Sequence, residues 1–315
     1  MSATDEPQRG LVVRSEGGFY TVVTPGDRLL CTLVKRLRRG ERTATNPLSV
    51  GDVVTARPTG GGQGVIEGIE PRRNELARAA PGRDALKHVL VANLDLLLVV
   101  VAMREPPANA ARLDRLLIIG AQCEIPTAVV ASKIDLAEPG EAEGFFAPYQ
   151  RAGYRVLYTS AATGEGIDQV RAALCGGISA VIGASGVGKS TLLNVVQPGL
   201  RLRAAEVSER TGKGRHTTTV AELHPLNGGG YVADTPGLRG IEPYDLDPEL
   251  LETYFPEMEP YLGRCRFSPC THLHEPGCTV RAAVEAGAIA ESRYLSYSKL
   301  YEEARETLRQ RTRGR

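Results

Sequence analysis

The sequence predicts a multidomain α/β chain: an N-terminal OB-type β-barrel over residues 1–75, a mainly parallel α/β domain over 76–240, and a C-terminal helical domain over 241–315 built around a metal. Three observations predict it. Residues 9–72 carry five short β-like runs parted by glycine turns. From about Asn93, strand-like and helix-like segments alternate. Residues 265–278 gather three cysteines and two histidines.

Of 315 residues, 42% are hydrophobic and 24% charged, enough apolar material for roughly two or more ordinary cores. The formal net charge of +1 excludes a global attraction to nucleic acid, so any such contact must come from local patches. The start, MSATDEPQRG, lacks a basic-then-apolar targeting pattern. The longest apolar run, Leu94–Met103, is too short to cross a bilayer and stops at Arg104, so it reads as a buried strand. A cytoplasmic protein with reduced cysteines is expected. Cys31, Cys123 and Cys175 sit in apolar stretches and read as packing residues.

In the first part the runs are GLVVRS, GFYTVVT, RLLCTLVK, DVVTARP and GVIEGIE, with turns EGG, TPGD, SVGD and GGGQG between them. Five strands at this spacing suit an OB-type barrel, whose open face commonly holds oligonucleotides. ERTATNPLS and RAAPGRDALK read as loops, the second as the link to the next domain. Then come strand LDLLLVVVAM and helix ANAARLDRLLIIGAQC, with Leu113, Leu116, Leu117 and Ile119 mainly on one side. Strands TAVVA, RVLYT and ISAVIG follow, interleaved with helices GEAEGFFAPYQRAG, GIDQVRAAL and KSTLLNVV. Such alternation argues for a parallel sheet covered on both faces. After Gly237 the pattern breaks into a Pro-, Cys- and Tyr-rich stretch and a charged terminal helix.

GASGVGKST at 183–191 has the spacing G-x-x-x-x-G-K-[ST] and sits between a strand and a helix. Gly183, Ala184, Ser185, Gly186, Val187, Gly188, Lys189, Ser190 and Thr191 would wrap nucleotide phosphates. The glycines let successive N–H groups converge on an anion, and the helix start adds its own donors. Lys189 would reach the β- and γ-phosphates, and the Ser190 hydroxyl a Mg2+ ion. Downstream, VADTPG puts Asp234 at a strand end, where it can hold Mg2+ through water, and offers the Gly237 N–H to the γ-phosphate. In GRHTTT, Thr217 or Thr218 could close over Mg2+ and γ-phosphate as that loop orders.

ASKIDL at 131–136 carries the base contact. The Asp135 carboxylate can accept both adjacent donors on the guanine edge, a pair that adenine lacks. The Lys133 stem would lie along the base, with Ser132 and Ile134 completing the loop. TSA at 159–161, also at a strand end, brings Ser160 and the Ala161 N–H, the latter for the guanine carbonyl. Taken singly, Asp135 and Ser160 also fit helix caps. Taken together, base loops precede phosphate loop, threonine segment and Asp-Thr-Pro-Gly. That is a cyclic rotation of the usual order, hence a circularly permuted P-loop GTPase α/β domain. A parallel sheet tolerates it when the original termini lie close. The turn at 234–237 then leads straight into the C-terminal domain.

In CRFSPCTHLHEPGC, Cys265, Cys270, His272 and Cys278 make a closed, structural Zn2+ set, with His274 as the alternative nitrogen ligand. Few large apolar residues lie nearby, so a metal worth about 10–16 kcal/mol would order the region.

On these motifs, in permuted order behind a small barrel, the chain resembles the RsgA (YjeQ) family of small-ribosomal-subunit biogenesis GTPases over nearly its whole length. The resemblance implies an OB-fold domain, a permuted GTPase domain and a zinc-binding helical domain. It implies GTP hydrolysis stimulated by the small ribosomal subunit late in its maturation, binding to rRNA, and release coupled to hydrolysis, by a monomer. It favours His272 over His274. The family's base loop usually reads Asn-Lys-x-Asp, and Ser132 stands at the Asn position, so weaker nucleotide affinity is expected, with guanine preference kept through Asp135. Leu238 follows Gly237 where many GTPases place a water-orienting glutamine. Leucine cannot orient water, so intrinsic turnover should be slow, and His216 is the candidate for the missing group.

For RNA, KRLRRGER places Lys35, Arg36, Arg38, Arg39 and Arg42 in the barrel segment, with Phe19 and Tyr20 available for stacking and Arg309, Arg311, Arg313 and Arg315 in the tail. Two other readings compete: an ATP-driven P-loop enzyme, in which SKID is only a cap, and a non-enzymatic zinc/OB adaptor with a degraded nucleotide site.

Overall fold

The computed structural model describes residues 6–38, 45–80, 83–200, 220–235, 237–238 and 240–313. The five expected runs form β1 (Gln8–Glu16), β2 (Phe19–Val23), β3 (Arg28–Leu33), β4 (Val53–Gly60) and β5 (Gln63–Ile69). They pair in the order β1-β2-β3-β5-β4, and β1 also pairs with β4, which closes the barrel. Successive side chains of a strand point to opposite faces, so alternate residues (Val12, Val22, Cys31, Val54, Ile66) fill the interior. One helical turn, α1 (Lys35–Arg38), follows β3.

The expected linker is not a loop. It is an antiparallel hairpin of β6 (Glu75–Ala80) and β7 (Arg83–Ala92). The hairpin is fastened to the barrel by a bridge between Val50 and Val91 and by the Asn46 amide, which donates to the Val89 carbonyl at 2.9 Å. Leu76, Val89 and Val91 are buried there, but Arg78, Lys87 and His88 between them hide the alternation.

The second part holds β8 (Leu96–Ala102), β9 (Thr127–Ser132), β10 (Arg155–Tyr158), β11 (Ile178–Ile182), β12 (Ala221–Pro225) and β13 (Tyr231–Asp234). The order is β10-β9-β8-β11-β13-β12, parallel except for β12. Helices α2 (Ala110–Gln122) and α3 (Glu141–Arg151) cover one face, and α4 (Ile167–Leu174) and α5 (Lys189–Val196) the other. That double cover is why β8, β9 and β11 read as unbroken apolar runs. β12 continues by antiparallel pairing into β1, so barrel and α/β part share one eleven-stranded sheet.

The C-terminal part has two 3-10 turns, Leu251–Tyr254 and Pro256–Tyr261, then α6 (Thr279–Glu285) and α7 (Glu291–Arg313). It has a core of its own, with Leu251, Phe255, Met258, Val280 and Tyr297 packed against Ile118 of α2. A metal is therefore not its sole organiser. Cys31 is buried and Cys123 half-buried, but Cys175 is exposed and does not pack a core. Among the described residues no helix is long and apolar enough to cross a membrane.

Candidate functional site

The predicted nucleotide segments all emerge at the carboxyl ends of parallel strands: Ser132–Asp135 from β9, Ser160 and Ala161 after β10, Gly183–Lys189 after β11, and Asp234–Gly237 from β13. β8 lies between β9 and β11, where successive connections turn to opposite sides, the place where open α/β sheets form ligand crevices.

The phosphate loop depends on its glycines. Gly183 has φ +147°, and a Cβ there would lie 2.4 Å from the Val100 carbonyl oxygen; Gly186 and Gly188 have φ +82° and +91°. Side chains are strained or excluded at such positions. Val187 is buried and anchors the loop, while Lys189 lies back across it, its Nζ donating to the carbonyls of Gly183 (2.8 Å) and Ala184 (2.6 Å). A cleft of about 650 Å³ opens here, lined among others by Pro106, Arg112, Lys189, Ser190 and Leu238. Pro106 and Arg112 belong to no motif; only their place just beyond β8 could have pointed to them.

The base loop is tied to the phosphate loop directly. The buried Ser132 hydroxyl donates to the Val187 carbonyl at 2.7 Å. A serine makes this one bond and has no amide donors beyond it. Lys133 adopts φ +55°; its Nζ donates to the Glu105 carbonyl at 2.6 Å, and its stem runs beside Gly188. Ile134 is half-buried against the sheet core. Asp135 is exposed and accepts no hydrogen bond among the described residues, so it is not spent as a helix cap. Ser160 does act as a turn cap, accepting from the Thr163 N–H at 3.1 Å, while the Ala161 N–H has no partner among the described residues. At the other end of the sheet edge, His224 Nε2 lies 3.8 Å from Asp234 Oδ2. Leu238 is packed into the core, and His216, Thr217 and Thr218 lie outside the described residues.

The proposed RNA residues divide. Phe19 is exposed, but Tyr20 is buried in the barrel and cannot stack on a base. Arg36 donates to the Glu67 carbonyl, and Arg311 pairs with Asp245. Arg39, Arg42 and Arg315 lie outside the described residues.

Cys265, Cys270, His272 and Cys278 bring their ligand atoms within 4.8 Å of one another. The Cys265 and Cys278 sulfurs are 3.8 Å apart, and His272 Nδ1 is 3.6 and 3.3 Å from them. Zn–S bonds of about 2.3 Å at tetrahedral angles separate two sulfurs by about 3.8 Å, and a sulfur from an imidazole nitrogen by about 3.6 Å. The set therefore fits a metal such as zinc. His274 is exposed and outside it. A full protein set leaves no open position, so the ion would supply folding energy. The loop is also braced by a residue within it and by one outside it. The Glu275 carboxylate accepts from the N–H groups of Thr271, Leu273 and His274 and from the Thr271 hydroxyl, and against the upward push of burial the bonds from Thr271 and from the main chain at Glu275 and His274 bring its pKa down to about 2. The Tyr294 hydroxyl donates to the His272 carbonyl at 2.7 Å.

The other ring nitrogen of His272, Nε2, lies 2.7 Å from Glu252 Oε2. A carboxylate there fixes the ring and leaves Nδ1 to face the sulfurs. Glu252→Gln should release zinc to a chromogenic chelator with affinity reduced about tenfold. Unchanged release would show that the ring needs no such support.

Comparison with known proteins follows the same lines. Residues 69–243 match the RsgA GTPase family. The chain is 46% identical over 288 residues to the small ribosomal subunit biogenesis GTPase RsgA of Moorella thermoacetica, covering 91% of this chain and 94% of that one. It is 43% identical to the protein of the same name from Gemmatimonas aurantiaca, covering 93% and 96%. Its fold is similar to the crystal structure of YjeQ from Thermotoga maritima, with TM-score 0.77, 36% identity and coverage of 95% and 98%. It is also similar to YloQ, described as a circularly permuted GTPase, with TM-score 0.76, 27% identity and coverage of 98% of each chain.

Proposed function

The chain belongs to the RsgA GTPase family, and from that premise we propose that this GTPase acts late in maturation of the small ribosomal subunit, where contact with the subunit and its rRNA stimulates turnover and hydrolysis drives release. One observation carries the nucleotide assignment: the Ser132–Val187 bond holds the loops of Asp135 and Lys189 together at one sheet edge.

In this reading Gly183–Thr191 wraps the phosphates, and Lys189 exchanges its loop carbonyls for phosphate oxygens. Ser190 in the first turn of α5, which follows β11, and Asp234 at the end of the adjacent parallel strand β13 are hard oxygen donors that suit Mg2+. The ion would offset charge on the β- and γ-phosphates. The Gly237 N–H meets the γ-phosphate, and Thr217 or Thr218 closes over it. With Leu238 packed in the core, His216 orients the water. Asp135, Lys133 and the Ala161 N–H read guanine. Residues 1–75, 76–240 and 241–315 serve as RNA-binding, GTPase and zinc-ordered parts of a cytoplasmic monomer. The exposed Phe19 supplies a stacking ring on the barrel.

The test is GTP turnover with purified small subunits, large subunits or neither. Stimulation by small subunits alone is expected, and lost in His216→Ala while GTP binding persists. Equal turnover in all three conditions would remove the ribosomal partner.

A further inference from the structure

The Asp-Thr-Pro-Gly turn has a neighbour to which no motif points. Arg78 of β6 lays its guanidinium against Gly237: a Cβ built on that glycine, at φ +105°, would lie 3.2 Å from Cζ and Nη1 of Arg78 and 3.2 Å from Leu90 of β7. Among the described residues this guanidinium makes no hydrogen bond or ion pair, and its Nε is buried. The residue facing it across the hairpin is His88, which offers no negative charge; its ring is bonded to the Thr45 hydroxyl at 2.7 Å, and burial together with the Arg78 charge lowers its pKa. A second buried polar atom without a partner among the described residues belongs to the turn itself, the hydroxyl of Thr235, whose residue is 7% exposed.

Buried polar groups are nearly always paired, and a permanently charged donor is the costliest to leave unmet. Two such groups, one on the turn and one on β6 against it, point to another arrangement of the turn in which they are met. Arg78 does not line the phosphate cleft. It must therefore act through the turn and not on the nucleotide.

We propose that Arg78 is a positioning residue for GTP hydrolysis: it grips the Asp-Thr-Pro-Gly turn when Gly237 has moved onto the γ-phosphate, and lets go in the arrangement seen here. The inference rests on the reading of Gly237 as the γ-phosphate contact. Glycine is required at 237 because the guanidinium lies against bare main chain. The hairpin that carries Arg78 is bonded to the barrel at Val50 and Asn46, so a displacement of the barrel can reach the turn through Arg78 and Leu90 as well as through the shared sheet.

The experiment is steady-state hydrolysis, GDP binding and thermal unfolding of the full chain carrying Arg78→Met or Arg78→Lys. Arg78→Met keeps the length and removes an unpaired charge, so its unfolding midpoint should stay or rise, while kcat falls about tenfold with KM and GDP affinity within about twofold. Arg78→Lys should recover part of kcat. Wild-type kcat in Arg78→Met would overturn the assignment, and so would a lowered unfolding midpoint with kcat lost alike in both variants, since that is the mark of a packing role. Wild-type GTP turnover in the same assay separately tests the reading on which the inference rests.

Discussion

Asp135→Asn should turn a GTP-preferring site into one that prefers xanthosine triphosphate. The carboxylate is exposed and accepts nothing from the described residues, so both oxygens are available to the two donors on the guanine edge. Asparagine keeps one acceptor and replaces the other with an N–H that faces the guanine amine. Xanthine carries a carbonyl at that position and would accept from it. Hydrogen bonds to a charged partner contribute about 1.5–3 kcal/mol each, and a donor facing a donor adds a desolvation cost. The ratio of GTP to xanthosine triphosphate affinity should therefore fall on the order of a hundredfold or more. Competition binding with both nucleotides measures it. An unchanged preference for GTP in the variant would remove Asp135 from the base site. An ATP-preferring wild type would revive the reading of SKID as a cap. Ser132→Ala should leave this selectivity intact and weaken both nucleotides alike, because Ser132 contacts the phosphate loop through Val187.

How far the sequence could be read depended on whether a contact leaves a local pattern. The barrel strands were legible because short β-branched runs are parted by glycine turns, even though Val12, Val22 and Val54 inside the barrel are flanked by Val13, Val23 and Val53 and so show no clean alternation. The parallel strands were legible because both faces are covered. The hairpin was not, because Arg78, Lys87 and His88 lie between its buried residues, and a sequence of that kind reads as a linker. α2 was half legible. Leu113, Leu116 and Leu117 mark the side turned to the sheet, but Asp114 and Ile118 are equally buried against the C-terminal part, and a charged residue in that row suggests solvent.

The candidate site divides in the same way. The phosphate loop, SKID and the Cys-Cys-His-Cys set announce themselves by spacing, since backbone curvature and metal geometry constrain neighbours in sequence. The Ser132–Val187 bond spans 55 residues and the His272–Glu252 contact 20, and neither has a local signature. Such partners follow from which loops the sheet order sets side by side. That order is a property of the whole fold.

Arg293→Met should destabilise the protein by about 3–5 kcal/mol, a fall in the unfolding midpoint on the order of 10 °C. Arg293 is 1% exposed and stands between two carboxylates: Nη1 donates to Asp114 Oδ1 at 2.5 Å, and Nε and Nη2 to the two oxygens of Glu257 at 2.6 and 3.1 Å. The rings of Phe255 and Tyr149 lie 4.7 and 5.2 Å from its Cζ. Methionine fills much of the space but strands Asp114, which burial already pushes toward the neutral form. The cost is that of two buried carboxylates without a cation, which exceeds the net worth of the pair itself. Arg293→Lys should fall between, because an ammonium cannot fork to both partners. Combining Arg293→Met with Asp114→Leu and Glu257→Leu should restore most of the loss, since a buried ionic cluster replaced by apolar groups of similar volume is commonly neutral or better. Asp114 lies on α2 and Arg293 on α7, so zinc-saturated protein carrying the single substitution should also lose protease resistance at the junction of the α/β and C-terminal parts before it unfolds elsewhere. An unfolding midpoint equal to wild type in Arg293→Met would mean that the apolar packing of Ile118, Phe255 and Tyr297 holds this junction without the ionic cluster.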